Sequence, residues 1–282
     1  MLDGKAVAKQ IFDEVAKAVA SRIAAGGSRP KLATVLVGDD PASAQYVNLK
    51  QRNAHSVGIE SEDHRLGAQT STAELHALVE RLNGDETVSG ILVQQPAPKQ
   101  IDMTAIVLAL DPMKDVDGFH PVNAGLVALG LPGGVEPCTP AGIVELLTRS
   151  GIAIEGANAV VVGRSNLVGK PAALLLLRRN ATVTLCHTRT RDLAGYTRGA
   201  DILVAAAGRA NLISKEMVKP GAAVVDVSTN WVGGRQVGDL GPGVDEVAGW
   251  LTPNPGGVGP MTRAMLIKNT YELEVRRRGG AV

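Results

Sequence analysis

The chain has 282 residues, 45% of them hydrophobic and 20% charged, and its formal net charge is +1. It is long enough for one large or two ordinary domains with real cores, and so even a charge balance supplies no field for gripping nucleic acid. Cys138 and Cys186 are too few for a disulfide framework and lack the spacing of a zinc site, so reduced thiols in a cytoplasmic protein are expected.

The N-terminal run MLDGKAVAKQIFDEVAKAVASRI sets Ala6, Val7, Ile11, Val15 and Val19 at helical spacing. Charges recur throughout it, so it reads as neither a signal peptide nor a membrane span. Gly26-Gly27 stops that helix before a strand over 32–37. Gly38-Asp39-Asp40-Pro41 then turns the chain into a helix from Ala42, with Gly58 beyond its end. On that helix Ser43, Tyr46 and Lys50 stand three and four residues apart and share a face. A helix around 73–82 and a strand over 90–93 follow. Pro96 and Pro98 end the strand and leave Gln94 at its carboxyl end, the edge where open α/β sheets bind ligands. A helix over 101–110 leads into an irregular acidic loop, DPMKDVDG, at 111–118. Pro132-Gly133-Gly134 and PCTP at 137–140 form the best linker, which places a domain boundary near Cys138.

Beyond the linker, a helical pattern through Leu147 precedes AVVVGRSNLVGKPAALLLL at 159–177, in which an apolar β-branched run passes through a glycine turn into a helix. Strands over 182–185, 202–205 and 223–227 continue the alternation. The fold class is therefore α/β with parallel strands; with two Phe, two Trp and three Tyr in all, the cores must be filled by Val, Leu, Ile and Ala. Residues 253–262, PNPGGVGPMT, read as a rigid glycine-rich loop, and a last helix runs from about Arg263 to Arg276. The basic run 276–278 reads as a solvated helix end.

The turn GRSNLVGKP at 163–171 is not a Walker A loop, since five residues rather than four separate its glycines and Pro171 replaces the magnesium-binding Ser/Thr. It also lacks GxGxxG. A strand, a glycine turn and a helix N-terminus still present N–H donors to a pyrophosphate, unless the glycines serve only helix–strand packing. Arg164 could pair bidentately with a phosphate, the usual way to prefer NADP over NAD. Taken singly, the other candidates are ordinary: a helical lysine such as Lys50 is usually solvated, Tyr46 can be a core aromatic, and Gln94 can be a capping amide. His187 reads as a structural or cofactor-contacting histidine, and Cys138 has no base partner in sequence. Asp115 and Asp117 fail as a calcium loop because Met113 and Ala124 fall on its first and last ligand positions, so no metal is expected.

In combination, YVNLKQRNAHSVGI (46–59), VQQPAP (93–98), KDVDGFH (114–120), PCTPAG (137–142), GRSNLVGKP (163–171), ATVTLCHTRT (181–190), ADILVAAAG (200–208), GDL (238–240) and PGGVGPMT (255–262) occupy nearly the whole chain in order. The constellation resembles the bifunctional methylenetetrahydrofolate dehydrogenase/cyclohydrolase family. The resemblance implies two α/β domains with an active-site cleft between them. Residues 1–138 plus 263–282 would form the folate-binding catalytic domain, and 139–262 a Rossmann-like NADP-binding domain. It implies a homodimer that oxidises 5,10-methylenetetrahydrofolate to the methenyl form with NADP as cofactor, then hydrolyses that product to 10-formyltetrahydrofolate. Neither nucleic acid nor membrane is an expected partner. A monofunctional methylenetetrahydrofolate dehydrogenase is one alternative, against which Lys50 argues; a catalytically silent nucleotide-binding protein of the same fold is another. With the chain ending near Val282, no appended formyltetrahydrofolate synthetase is expected.

Hydride loss from the bridging methylene is assisted by a neighbouring nitrogen lone pair, so the first step needs alignment more than an acid or base. Hydrolysis differs: water must lose a proton as it attacks and a ring nitrogen must gain one as it leaves. The resemblance makes Lys50 the catalytic lysine of that step, with Gln94 orienting it. Tyr46 would stack on the pterin or its adjoining aromatic ring, and Asp117 would accept hydrogen bonds from the amino-pyrimidine edge. Ser43, Pro255, Gly256 and Gly257 match further substrate contacts. Gly163, Arg164, Ser165, Thr188 and Asn230 match cofactor contacts, with 168–171 completing the turn. Three departures from the family pattern stand out. Thr188 replaces the usual serine but keeps a hydroxyl, so NADP use with altered affinity is expected. Ser228-Thr229 replaces Gly-Ile before Asn230, and Gln95 and Ala97 replace leucines near the folate tail.

Overall fold

A computed structural model describes residues 1–280; residues 281 and 282, which the expected folate domain includes, lie outside the described residues. The elements begin with α1 (Gly4–Ala24), β1 (Lys31–Val37), α2 (Pro41–Ser56), β2 (Glu60–Leu66), α3 (Thr72–Gly84), β3 (Gly90–Val93), α4 (Met103–Ala109) and α5 (Pro121–Ala128). They continue with α6 (Cys138–Arg149), β4 (Asn158–Val162), α7 (Gly169–Arg178), β5 (Thr182–Cys186), α8 (Leu193–Thr197) and β6 (Ile202–Ala205). Last come β7 (Ala223–Asp226), β8 (Asn230–Val232), β9 (Arg235–Val237), β10 (Trp250–Leu251) and α9 (Val258–Arg277). The chain divides into two compact units. The first holds Lys9–Leu126, Gly133–Val135 and the described residues from Arg263 onward; the second holds Met1–Ala8, Val127–Pro132 and Glu136–Thr262.

The first unit is built on a parallel sheet in the order β2-β1-β3. Six of the seven residues of β1 are buried, as expected of a central strand covered on both faces. α3 starts at a capping box in which Ser71 and Glu74 satisfy each other's backbone N–H groups, and its stripe Leu75, Leu78, Val79, Leu82 recurs at helical spacing. That stripe packs with Val35, Ile91 and Val93 in one cluster. β2, ESEDHRL, has no apolar alternation, and nothing in its composition announces a strand. It is an edge strand held by its register with β1 and by a 2.7 Å Lys31–Glu62 ion pair. Fully buried Lys114 donates to the carbonyls of Leu82, Asn83 and Asp85 at 2.9, 2.6 and 2.7 Å, which ties the acidic loop to the end of α3. Burial pushes the Lys114 amine below its ordinary pKa.

The second unit carries an all-parallel sheet in the order β10-β7-β6-β4-β5. From β4 the chain goes to one side for β5 and to the other for β6, so the topological switch lies at β4, where such sheets bind ligands beyond their carboxyl ends. Val160, Val162, Leu203, Ala205 and Val224 form the centre of its core.

Two expectations about loops are corrected. Residues 253–262 are not loop throughout, because α9 begins at Val258 and not at Arg263. Pro260 falls in its first turn, where the missing N–H has no intrahelical acceptor to lose. PCTP at 137–140 is not slack chain: α6 starts at Cys138 with Pro140 in its first turn. The helix expected over 101–110 is shorter, because Asp102 caps it by accepting from Thr104 and Ala105 N–H at 2.9 and 3.1 Å.

Candidate active site

The first unit builds its chemistry on the shared edge of β1 and β3, whose parallel pairing brings their carboxyl ends side by side. Gln94 leaves β3 there with its N–H on the Val35 carbonyl at 2.8 Å. α2 leaves β1 at the same edge. Its start is fixed by Pro41 in the first turn and by Asp40, whose carboxylate accepts from Ser43 N–H at 2.7 Å; that bonding to Ser43 holds the Asp40 carboxyl below its usual range. Helical spacing then carries Ser43, Tyr46 and Lys50 along one side, with Ser43 3%, Tyr46 45% and Lys50 9% exposed.

Lys50 Nζ donates to Gln94 Oε1 at 3.0 Å, across 44 residues of chain. The Gln94 amide nitrogen donates in turn to the Gln95 carbonyl, which leaves its oxygen aimed at the lysine. No ion pair to Lys50 occurs among the described residues. A neutral amide orients an amine without the charge compensation that a carboxylate would impose.

Asp117 is half-buried and lines a narrow crevice with Val93, Gln95, Met103, Asp115 and Phe119. The neighbouring Asp115 has a structural task. Its carboxylate accepts from Gly118 N–H (3.1 Å), His120 N–H (2.7 Å) and Asn123 Nδ2 (3.0 Å), while burial pushes its pKa up. Within KDVDGFH, Lys114 and Asp115 therefore hold the loop while Asp117 faces the crevice beside Gln95.

In the second unit, Gly163 follows β4 with φ +129°, and a Cβ there would stand 2.1 Å from the Ala206 carbonyl oxygen beyond β6. A Cβ on Gly169 would meet the Gly163 carbonyl at 2.0 Å. Both glycines are demanded by close backbone approach at the switch point. Ser165 Oγ accepts from Val168 and Gly169 N–H at 3.1 and 3.4 Å, so these two amides of the turn are engaged within the protein. Arg164 and Thr188 are exposed just beyond the paired ends Val162 and Cys186 of β4 and β5. Arg164 has no hydrogen bond or ion pair among the described residues. A close backbone turn with an uncompensated guanidinium and a hydroxyl just beyond the next strand fits a dinucleotide bearing a phosphate on its ribose. His187 Nδ1 accepts from Arg189 N–H at 3.1 Å, a turn contact.

Asn230 opens the β8–β9 hairpin and donates to Asp239 Oδ1 at 3.1 Å. Fully buried Asp239 also accepts from Ala207, Gly208 and Arg209 N–H at 2.6, 3.1 and 2.7 Å and from Ser228 Oγ at 2.7 Å. The Ser228 departure thus has a structural use. Asp239 lies within the GDL motif, but no local pattern announces the donors that converge on it from two separate stretches, 207–209 and 228–230. Asn254 donates to the Ser228 carbonyl at 2.9 Å and accepts from Gln236 at 2.8 Å, joining the Pro255-Gly256-Gly257 stretch to the hairpin. Those three residues belong to the second unit, Lys50, Gln94 and Asp117 to the first. Arg263, overlooked in the sequence because it sat in an ordinary helical pattern, lies in the first unit near Tyr46.

Comparison with known proteins places these features among relatives. Residues 2–117 match the family described as tetrahydrofolate dehydrogenase/cyclohydrolase, catalytic domain, and residues 137–278 match its NAD(P)-binding domain. The bifunctional protein FolD of Sorangium cellulosum is 54% identical over 279 residues, covering 98% of this chain and 97% of that one. The solved structure of the bifunctional enzyme FolD, methylenetetrahydrofolate dehydrogenase/cyclohydrolase, from Campylobacter jejuni superposes with a TM-score of 0.95 at 45% identity, covering 98% of each chain. That of the Trypanosoma brucei dehydrogenase-cyclohydrolase, complexed with NADP cofactor and an inhibitor, gives 0.91 at 39% identity, with coverage of 99% and 98%.

Proposed function

The chain belongs to the tetrahydrofolate dehydrogenase/cyclohydrolase family, and from that premise we infer that it is a bifunctional enzyme of one-carbon folate chemistry. It oxidises 5,10-methylenetetrahydrofolate to the methenyl form with NADP and hydrolyses that product to 10-formyltetrahydrofolate. The observation that carries both steps on one chain is the Lys50–Gln94 hydrogen bond on the helix face of Tyr46.

Lys50 exchanges the proton of hydrolysis. Its amine is withdrawn from bulk water, and the amide of Gln94 points it. Tyr46 offers its exposed ring to the pterin or the adjoining aromatic ring, and Asp117 accepts from the amino-pyrimidine edge. Ser43, Pro255, Gly256 and Gly257 serve the substrate further. Gly163, Arg164, Ser165, Thr188 and Asn230 hold the dinucleotide, with Arg164 and Thr188 on the 2′-phosphate. Bound NADP supplies the hydride acceptor. Folate binding belongs to residues 1–138 plus 263–282 and NADP binding to 139–262; the return of the chain from Arg263 to the unit of Lys9–Leu126 supports that division, although the NAD(P)-binding family domain matches 137–278 and residues 1–8 and 127–132 group with the second unit. The family likeness supports a homodimer, and the two buried thiols support a reducing, cytoplasmic setting.

The test is a dual assay of the purified protein with methylenetetrahydrofolate and either NADP⁺ or NAD⁺, following reduced nicotinamide and 10-formyltetrahydrofolate together. Both products should form, with NADP⁺ preferred. Reduced nicotinamide without formyl product would leave only a monofunctional dehydrogenase.

A further inference from the structure

We propose that Arg263 is a specificity residue for the substrate's glutamyl tail, pairing with one of its carboxylates; the inference rests on the folate reading above. Arg263 stands in the second turn of α9, half-buried, and its Nε is fully buried with no hydrogen-bond partner. No carboxylate among the described residues pairs with it. Burial works against the cation, which lies within electrostatic reach of Tyr46. A guanidinium has five N–H donors in a fixed fork, and leaving it desolvated and uncompensated is costly in a folded protein. An arriving anion with two oxygens would satisfy it.

The identity of the anion follows from position. With the pterin on Asp117 and the aromatic ring on Tyr46, the next group outward in a tetrahydrofolate is the glutamate, whose carboxylates are the substrate's standing negative charges. Lys50 is engaged with Gln94, and the ring of Tyr46 carries no formal charge. Arg263, the cation beside Tyr46, is therefore positioned for the tail and not for the reacting carbon. Its effect should fall on KM and leave kcat alone.

The experiment compares wild type, R263Q and R263K with methylenetetrahydrofolate and with the analogue that lacks glutamate, methylenetetrahydropteroate. In wild type, removing the glutamate should raise KM on the order of tenfold, the usual worth of a hydrogen bond to a charged group. R263Q should show that higher KM with the full substrate, no further rise with the analogue, an unchanged kcat and an unchanged KM for NADP⁺. R263K, which keeps the charge but loses the fork, should fall between. The same glutamate dependence in R263Q as in wild type overturns the proposal. Should R263Q fail to fold, R263K carries the test: a raised KM for the full substrate alone supports it, and an unchanged one overturns it. Tyr46→Ala separates the underlying reading. If that variant leaves KM unchanged for both substrates, the folate placement itself fails; if it raises KM for both while R263Q keeps the wild-type dependence, only the role of Arg263 fails.

Discussion

The two units solve opposite problems with opposite materials. In the first, the Lys50 amine is taken almost wholly out of solvent and aimed by a neutral side chain, so its precision comes from packing and one hydrogen bond. In the second, the turn after β4 is backbone brought close by glycine, and its cation, Arg164, is left exposed. Proton transfer needs a group whose environment differs from water, whereas a phosphate needs approach, donors and a charge that can reach it. The difference teaches where each unit is vulnerable: the first to loss of a side chain, the second to the gain of one.

Lys50→Met should break the comparison most severely. Formation of 10-formyltetrahydrofolate should fall about 10²–10⁴-fold, the worth of a general acid–base group, while hydride transfer survives at least in part. Equal retention of both activities would remove Lys50 from the mechanism. Gly163→Ala attacks the other unit, since the new Cβ meets the Ala206 carbonyl and the φ of +129° disfavours any side chain. A loss on the order of 2–4 kcal/mol in stability, with NADP⁺ binding weakened accordingly, should be visible in thermal melts with and without cofactor. Arg164→Ala should be milder, raising KM for NADP⁺ roughly tenfold or more with little change for NAD⁺; equal effects on both would separate Arg164 from the 2′-phosphate.

The smallest effect concerns acid stability in the first unit, which also buries the carboxyl of Glu274. Burial pushes that carboxyl up, but hydrogen bonds from Ser28, Ser89 and Arg278, with the Arg278 charge, outweigh it and leave the pKa below its ordinary value. A lowered folded-state pKa contributes stability that is present above the unfolded value of about 4.3 and lost as pH falls through the folded one. The Tm advantage of wild type over Glu274→Gln should accordingly shrink on acidification from about pH 6 to about pH 3. An advantage independent of pH would assign Glu274 a role in packing and not in charge.

Much of this molecule was legible in its amino acids. The strands over 90–93 and 202–205 were placed to the residue, because buried parallel strands are unbroken apolar runs between turn signals. The face shared by Ser43, Tyr46 and Lys50 followed from helical spacing, and the exclusion of a Walker A loop from counting. Local chemistry determined these features, and local chemistry is written in order along the chain. What only the tertiary structure decided depends on residues far apart. Polar β2 is a strand because β1 offers it an edge, and Lys50 meets Gln94 because two parallel strands end together. Asp239 gathers donors from stretches that no period connects, and that the buried Arg263 Nε has no partner among the described residues is a property of the folded chain. A hydrogen bond is satisfied or left open by the sum of the packing around it, and that sum exists only in the folded chain.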